Sequence, residues 1–170
     1  MLPRFVFGIL LAATQSQWDS DYRALASHHL AMPVAGAKAS ELTDTYSDVR
    51  AGGRSHKAAD ILAPRGTPVV AFDGGVIKKL FTSVRGGLTV YQFDRTETYC
   101  YYYAHLDRYA PGVTENMVVR TGQLLGYVGS SGDADATAPH LHFEITRIGP
   151  DKKWWGGENI NPFPLLKTLK

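Results

Sequence analysis

Cysteine is almost absent from this chain: Cys100 is the single cysteine among 170 residues. One cysteine cannot form an intramolecular disulfide, nor the cysteine pair that is common in structural zinc sites. Cys100 lies between Tyr99 and Tyr101, in a segment rich in aromatic residues. We therefore expect a buried, unreactive thiol rather than a nucleophile or a metal ligand.

A strong charge excess and long apolar runs are also lacking. The formal net charge is +2 and the basic residues form no cluster, which argues against a nucleic-acid partner. The apolar run over residues 5–13 follows Arg4 and is too short to cross a bilayer, and no other stretch is a candidate membrane span. The run fits the apolar core of a secretory signal peptide, so residues 1–17 predict an exported protein. A buried N-terminal segment of the mature fold is the alternative.

The remaining chain consists of short apolar and aromatic segments separated by glycine-containing turns, a pattern typical of an all-β domain. Strands are expected over 88–93, 98–105, 118–120, 123–128 and 140–148, with a β-hairpin over 67–79 around Asp73–Gly75. Residues 18–33 predict a short helical lead-in, with Trp18, Tyr22, Leu25 or Ala26, and His29 on one stripe. A single domain over 34–170 is expected to follow.

Two histidines two positions apart are the first candidate functional residues. His140 and His142 lie in the apolar run Pro139–Glu144, and on a strand residues i and i+2 point to the same face. Neutral imidazole is the commonest metal ligand in proteins and a usual ligand of zinc. The pair alone is also compatible with two histidines that have no shared task.

Upstream, His56 and Asp60 supply a second histidine and a carboxylate. Their spacing places both side chains on one side of a strand or a helix. Pro64, Gly66 and Pro68 follow closely and favour an extended segment that enters a turn. Two histidines and one aspartate equal the three protein ligands of a catalytic zinc site, in which the fourth position stays open for water.

A third candidate, His105, lies at the end of an aromatic strand. Strand periodicity places Tyr101, Tyr103 and His105 on one face. Together with the other motifs, His105 is a candidate for proton transfer or oxyanion stabilisation. Taken alone, it is also compatible with a strand-end histidine that has no function.

In this order, the three motifs resemble those of the M23 family of zinc metallopeptidases, the lysostaphin type or LytM domain. The resemblance covers roughly residues 34–165 and includes the glycine-punctuated segment 122–132. It implies antiparallel sheets that form a groove, and one zinc ion per chain. By motif position it assigns the metal to His56, Asp60 and His142, and catalysis to His105 and His140.

The resemblance also implies an endopeptidase that acts on peptide cross-links or stem peptides of bacterial peptidoglycan. We expect a monomer and, with the signal-like N-terminus, a periplasmic or secreted protein. For such a family member the resemblance implies the D-alanyl–diaminopimelate cross-link as the bond, although other members cut glycine bridges. Two alternatives are a non-catalytic M23-like module that binds the wall or regulates another hydrolase, and a structural zinc protein with His105 or His140 as fourth ligand.

The adjacent tryptophans Trp154 and Trp155 have two interpretations. They form either a hydrophobic plug that seals the C-terminal tail onto the sheet, or an exposed wall of the substrate groove.

Overall fold

The computed structural model describes residues 17–50 and 52–169. Residues 1–16, which carry nearly all of the expected signal peptide, lie outside the described residues. Helix α1 covers residues 17–26, and a 3₁₀ helix covers Ala39–Glu41. The strands are β1 (Val49–Arg50), β2 (Arg54–Ser55), β3 (Ala59–Leu62), β4 (Pro68–Val70), β5 (Gly75–Ser83), β6 (Gly87–Asp94), β7 (Tyr99–Tyr109), β8 (Val118–Val119), β9 (Leu124–Val128), β10 (His140–Arg147) and β11 (Glu158–Ile160), and a short helix α2 (Phe163–Leu166) ends the fold.

Within the described residues, the strands form one antiparallel sheet of nine members and a separate two-stranded ribbon, β1–β2. Along the main path the order is β11-β10-β7-β6-β5-β8, with β3 paired to β10 and β9 paired to β7. The expected all-β, mainly antiparallel fold is therefore confirmed. One edge of β10 pairs first with β3 and then with β11, and one edge of β7 pairs first with β10 and then with β9. Several segments of the chain therefore meet around these two central strands.

Strand β10 separates the core from a polar face. Its burial alternates along its length: Leu141, Phe143 and Ile145 are fully buried, whereas His140 and His142 are partly exposed on the other face. Burying each of these apolar side chains contributes about 1.5–3 kcal/mol. This alternation fixes the register of β10, because a slip by one residue would exchange the two faces.

The hairpin expected over 67–79 is wrong. Strand β4 pairs with β9, and β5 pairs with β6 and β8, so the two segments are not partners. The intervening segment is drawn into the core: Phe72 is fully buried, and the buried Asp73 accepts a hydrogen bond from the Tyr101 hydroxyl at 2.9 Å. His28 Nδ1 lies 2.7 Å from the same carboxylate. A segment held this way crosses the interior instead of turning at the surface.

Helix α1 packs onto the sheet but ends before the last residue of the predicted helical stripe, which runs from Trp18 to His29. It ends at Ala26, so His29 lies outside it, and Trp18 is 41% exposed. Leu25 is fully buried in the main core, and the Tyr22 hydroxyl donates a hydrogen bond to the Asn161 carbonyl at 2.9 Å. Among the described residues, no helix is long and apolar enough to cross a membrane.

The plug interpretation fits Trp154, whereas neither tryptophan lines the groove around the candidate histidines. Trp154 packs against the rings of Tyr91 and Phe81, with centroids 4.6 and 5.4 Å away, as a plug would. Trp155 is 55% exposed and lies beside Lys153. The Trp154 carbonyl is also 3.6 Å from the Cys100 sulfur. The expected burial of Cys100 is confirmed, and this burial raises the pKa of its thiol well above the usual range.

Candidate metal centre

Three neighbouring strands bring the motifs together. In the ladder between β3 and β10, Asp60 is opposite His142, and in the ladder between β10 and β7, His142 is opposite Ala104. Directly opposite residues of antiparallel strands project to the same face. His56 lies three residues before β3 and is 8% exposed, so its ring reaches the same face from the edge.

Three ligand-type atoms form a compact triangle on this face. His56 Nε2 lies 3.0 Å from His142 Nδ1 and 3.0 Å from Asp60 Oδ1, and His142 Nδ1 lies 3.2 Å from Asp60 Oδ1. Two atoms that each bind a tetrahedral zinc ion at about 2.0–2.1 Å are roughly 3.4 Å apart. In donor type, number and spacing, these residues fit a zinc ion with an open fourth position.

The other nitrogen of each ligand ring is held by an acceptor. His56 Nδ1 donates to the Thr45 carbonyl at 2.8 Å, and His142 Nε2 donates to Glu144 Oε1 at 2.9 Å. In the neutral rings that bind a metal, these outer nitrogens carry the proton, so the lone pairs of His56 Nε2 and His142 Nδ1 are directed into the triangle. Such outer partners fix the orientation of metal-binding histidines and increase their basicity.

Glu144 is a functional candidate that the motif comparison did not assign. Its second oxygen accepts a hydrogen bond from Asn159 Nδ2 at 3.2 Å, so β11 supports the carboxylate that orients His142. The signal was present in the sequence, since Glu144 is two residues after His142 and shares its face of the strand.

The electrostatics of the triangle favour a positive charge at its centre. Burial raises the pKa of the Asp60 carboxyl, but the hydrogen bonds with His142 and His56 outweigh it and hold this pKa well below its usual range. Burial likewise disfavours the His142 imidazolium, yet the carboxylates of Asp60 and Glu144 raise the pKa of His142 to about 9. An arrangement that stabilises a proton in this way also stabilises a metal cation.

His105 reaches the same face through an irregularity in β7. Tyr103 of β7 is opposite Val90 of β6, and Leu106 is opposite Leu88. Two residues of β7 therefore lie between these pairs where β6 has one, so β7 contains one extra residue. His105 adopts a left-handed conformation at this β-bulge, with φ of 60°. The expectation that His105 shares a face with Tyr101 and Tyr103 is therefore wrong, because these tyrosines are fully buried in the core while His105 lines the groove.

Backbone contacts hold the bulge in place. The His105 amide donates to the Gly86 carbonyl and its Nδ1 donates to the Ser131 carbonyl, both at 2.8 Å. The two backbone segments that carry these carbonyls are in close contact, since a Cβ on Gly132 would lie 2.1 Å from the Arg85 carbonyl oxygen. Glycine at 132 is thus required for the close approach that positions His105.

His105 and His140 stand side by side next to the triangle. Their ring centroids are 5.0 Å apart, His105 is 5.6 Å from the His142 ring, and His140 Nε2 is 3.8 Å from Asp60 Oδ1. His140 Nδ1 donates to the Ala138 carbonyl at 2.9 Å, so a neutral ring at either position would present an Nε2 lone pair to the groove. Burial lowers the pKa of His105 and favours its neutral form.

The groove around these residues has a volume of about 1000 Å³. It is lined by all five residues that the sequence singled out and by a wall from the β1–β2 ribbon. From that ribbon Arg50 donates to Oδ2 of Asp60, the oxygen that points away from the triangle. No sequence motif indicated Arg50, because its contact depends on how the ribbon folds over β3.

The chain is similar to several known proteins. The family model described as "Peptidase family M23" matches residues 54–162. The L-Ala–D-Glu endopeptidase of Bacillus subtilis is 33% identical over 131 residues, which are 73% of this chain and 39% of the relative. The peptidoglycan DD-endopeptidase ShyC of Vibrio cholerae is 35% identical over 99 residues, 58% of this chain and 22% of the relative. The chain thus spans less than half the length of either relative.

Among solved structures, the catalytic domain of the antimicrobial peptidase lysostaphin from Staphylococcus simulans aligns with a TM-score of 0.59 and 27% identity. The alignment covers 85% of this chain and 96% of that domain. The similarity therefore extends over nearly the whole lysostaphin domain.

Proposed function

This chain belongs to peptidase family M23, and from that premise we propose that it is a zinc-dependent endopeptidase of bacterial peptidoglycan. One observation carries the proposal: His56 Nε2, Asp60 Oδ1 and His142 Nδ1 lie 3.0–3.2 Å apart, with two further imidazoles beside them. Three ligands with an open side are typical of catalytic zinc, whereas a structural site closes with a fourth.

In this proposal His56, Asp60 and His142 hold one zinc ion per chain. Zinc supplies a Lewis acid, which polarises a carbonyl and lowers the pKa of water. The protein contributes the orientation of the three ligands, through the Thr45 carbonyl, Glu144 and the strand register.

His140 is the proposed general base. Its Nδ1 proton is engaged by the Ala138 carbonyl, so Nε2 is free to accept a proton from the attacking water. Its position 3.8 Å from Asp60 Oδ1 places it next to the ligand triangle. The same ring could then return the proton to the leaving amine.

His105, whose ring lies beside that of His140, is its proposed partner. To stabilise an oxyanion or protonate the amine it must carry a proton on Nε2, since Nδ1 already donates to Ser131. Burial lowers its pKa, so the imidazolium form would be a readier proton donor than an exposed histidine.

The names of the relatives support a wall substrate: one cleaves an L-Ala–D-Glu bond and another is a DD-endopeptidase of peptidoglycan. We extend this to an exported protein, periplasmic or secreted, in which residues 1–17 direct export and 34–170 form the peptidase domain. A monomer suffices, because all five proposed site residues come from one chain.

Incubation of the zinc-loaded protein with cross-linked muropeptides, followed by mass spectrometry, tests the proposal. We expect dimers to be replaced by fragments that together gain the mass of one water, with loss of cleavage on chelation and recovery when zinc is returned. The masses identify the bond. Muropeptides that bind zinc-loaded protein but stay intact would overturn the enzyme and favour the non-catalytic module.

A further inference from the structure

The β1–β2 ribbon carries two arginines into the groove. Arg50 and Arg54 are directly opposite in the ribbon, and both line the groove that contains His56 and Asp60. Opposite residues of an antiparallel pair project to the same face, so the two arginine side chains leave the ribbon next to each other.

Arg50 is held at the edge of the metal centre. Its guanidinium donates to Oδ2 of Asp60, while Oδ1 of the same carboxylate belongs to the ligand triangle. A guanidinium has five N–H donors, and the Arg50 side chain remains 42% exposed. Arg50 thus lines the groove with a partly exposed guanidinium, one carboxylate away from the atoms that would bind the metal.

We infer that Arg50 binds a substrate carboxylate located on the carbon that bears the scissile nitrogen. The inference rests on the proposed function and names its substrate class. A planar guanidinium recognises a carboxylate through paired, charge-assisted hydrogen bonds, which are the strongest class available to a side chain. Because Arg50 adjoins the metal ligands, the carboxylate that it reaches must lie close to the bond that is cut.

Peptidoglycan bonds differ in this respect. In an L-Ala–D-Glu bond and in a D-Ala–diaminopimelate cross-link, the residue that supplies the scissile nitrogen carries a free carboxylate on the adjacent carbon. A glycine bridge carries none. Arg50 therefore selects an anionic stem or cross-link and disfavours a neutral glycine bridge, in which its donors would lack a partner.

A purely supporting role for Arg50 makes a different prediction. If Arg50 served only to fix Asp60, its removal would disturb the metal centre equally for every substrate. A substrate pair that differs only in the carboxylate therefore separates the two roles.

The test uses two pairs of soluble muropeptides and a pentaglycine peptide with the zinc-loaded protein. In one pair the D-Glu α-carboxylate is free or amidated, and in the other the cross-linked diaminopimelate carboxylate is free or amidated. For the bond that is cut, we expect kcat/KM to be roughly 10- to 100-fold higher for the free carboxylate than for the carboxamide. Pentaglycine should be a poorer substrate than either free carboxylate.

Arg50→Gln should lower kcat/KM for the carboxylate substrate by roughly 10- to 100-fold and reduce the preference to a few-fold. Arg120→Gln, at an exposed site outside the groove, is the charge-matched control and should retain the preference. Calorimetric affinity for the product with the free carboxylate should fall in Arg50→Gln, and affinity for the amidated product should not. If Arg50→Gln lost zinc, the preference of the wild type for free over amidated substrates would test the proposed recognition of a carboxylate.

Two failures are distinguishable. Equal cleavage of free and amidated substrates by the wild type, or equal loss of both in zinc-loaded Arg50→Gln, would overturn the role of Arg50 and leave the peptidase standing. No cleavage of any substrate by zinc-loaded wild type would overturn the peptidase and this inference with it.

Discussion

Each histidine of the groove is fixed through one ring nitrogen, which leaves the other directed towards the ligand triangle or the groove. Thr45, Ser131 and Ala138 supply backbone carbonyls to His56, His105 and His140, and Glu144 supplies a carboxylate to His142. The difference matters, because only His142 depends on a side chain that can be replaced. Residue-scale tests of the metal centre therefore begin at Glu144.

Replacing Glu144 by Ala should weaken zinc binding by about 10- to 100-fold, since His142 loses the acceptor that fixes its orientation. Glu144→Gln keeps an acceptor but not the charge, so its zinc affinity should lie between those of the wild type and Glu144→Ala. Zinc affinity is measured by competition with a chromophoric chelator. Glu115→Gln, an exposed carboxylate paired with Lys79, is the control and should bind zinc like the wild type. Wild-type affinity in Glu144→Ala would contradict this role.

At the scale of single residues, the sequence indicates much of the site. The shared face of His140 and His142 follows from strand periodicity, and Glu144 follows from the same rule. Arg50 does not, because its contact with Asp60 joins two elements whose relative position no local pattern encodes.

At the scale of elements, strand identity is easier to predict than pairing or register. The strands expected over 88–93 and 140–148 are present within one residue of these bounds, whereas the strand expected over 98–105 continues to Tyr109. The prediction of a hairpin over 67–79 is wrong because Asp73 forms its contacts with Tyr101 and His28 inside the fold instead of in a surface turn. The bulge at His105 was missed because contacts with Gly86 and Ser131, which lie far along the chain, stabilise it.

Helix α1 is expected to be part of the folding unit rather than a detachable lead-in. Leu25→Ala should lower the free energy of unfolding by about 2–5 kcal/mol, because a fully buried side chain is truncated. Chemical denaturation of both variants measures this, with Ser20→Ala on the exposed side of the same helix as control. The control should change stability by less than about 0.5 kcal/mol. Equal stability of the two variants would show that the helix contributes little.

At the scale of the whole molecule, the groove is an assembly of distant segments. His56 and His142 are 86 residues apart in sequence, yet their ring nitrogens lie 3.0 Å from each other. The order of the motifs predicts such an assembly only through family resemblance. In physical terms it requires the antiparallel ladders that set β3, β10 and β7 side by side.

The central claim is that His142 holds the metal while His140, on the same strand face, moves a proton. Zinc content per chain, measured with muropeptide cleavage on wild type, His140→Ala and His142→Ala, tests it most directly. The account predicts one zinc in the wild type and in His140→Ala, greatly reduced zinc in His142→Ala, and cleavage by the wild type alone. An active metal-free wild type, or loss of zinc from His140→Ala with retention in His142→Ala, would contradict it.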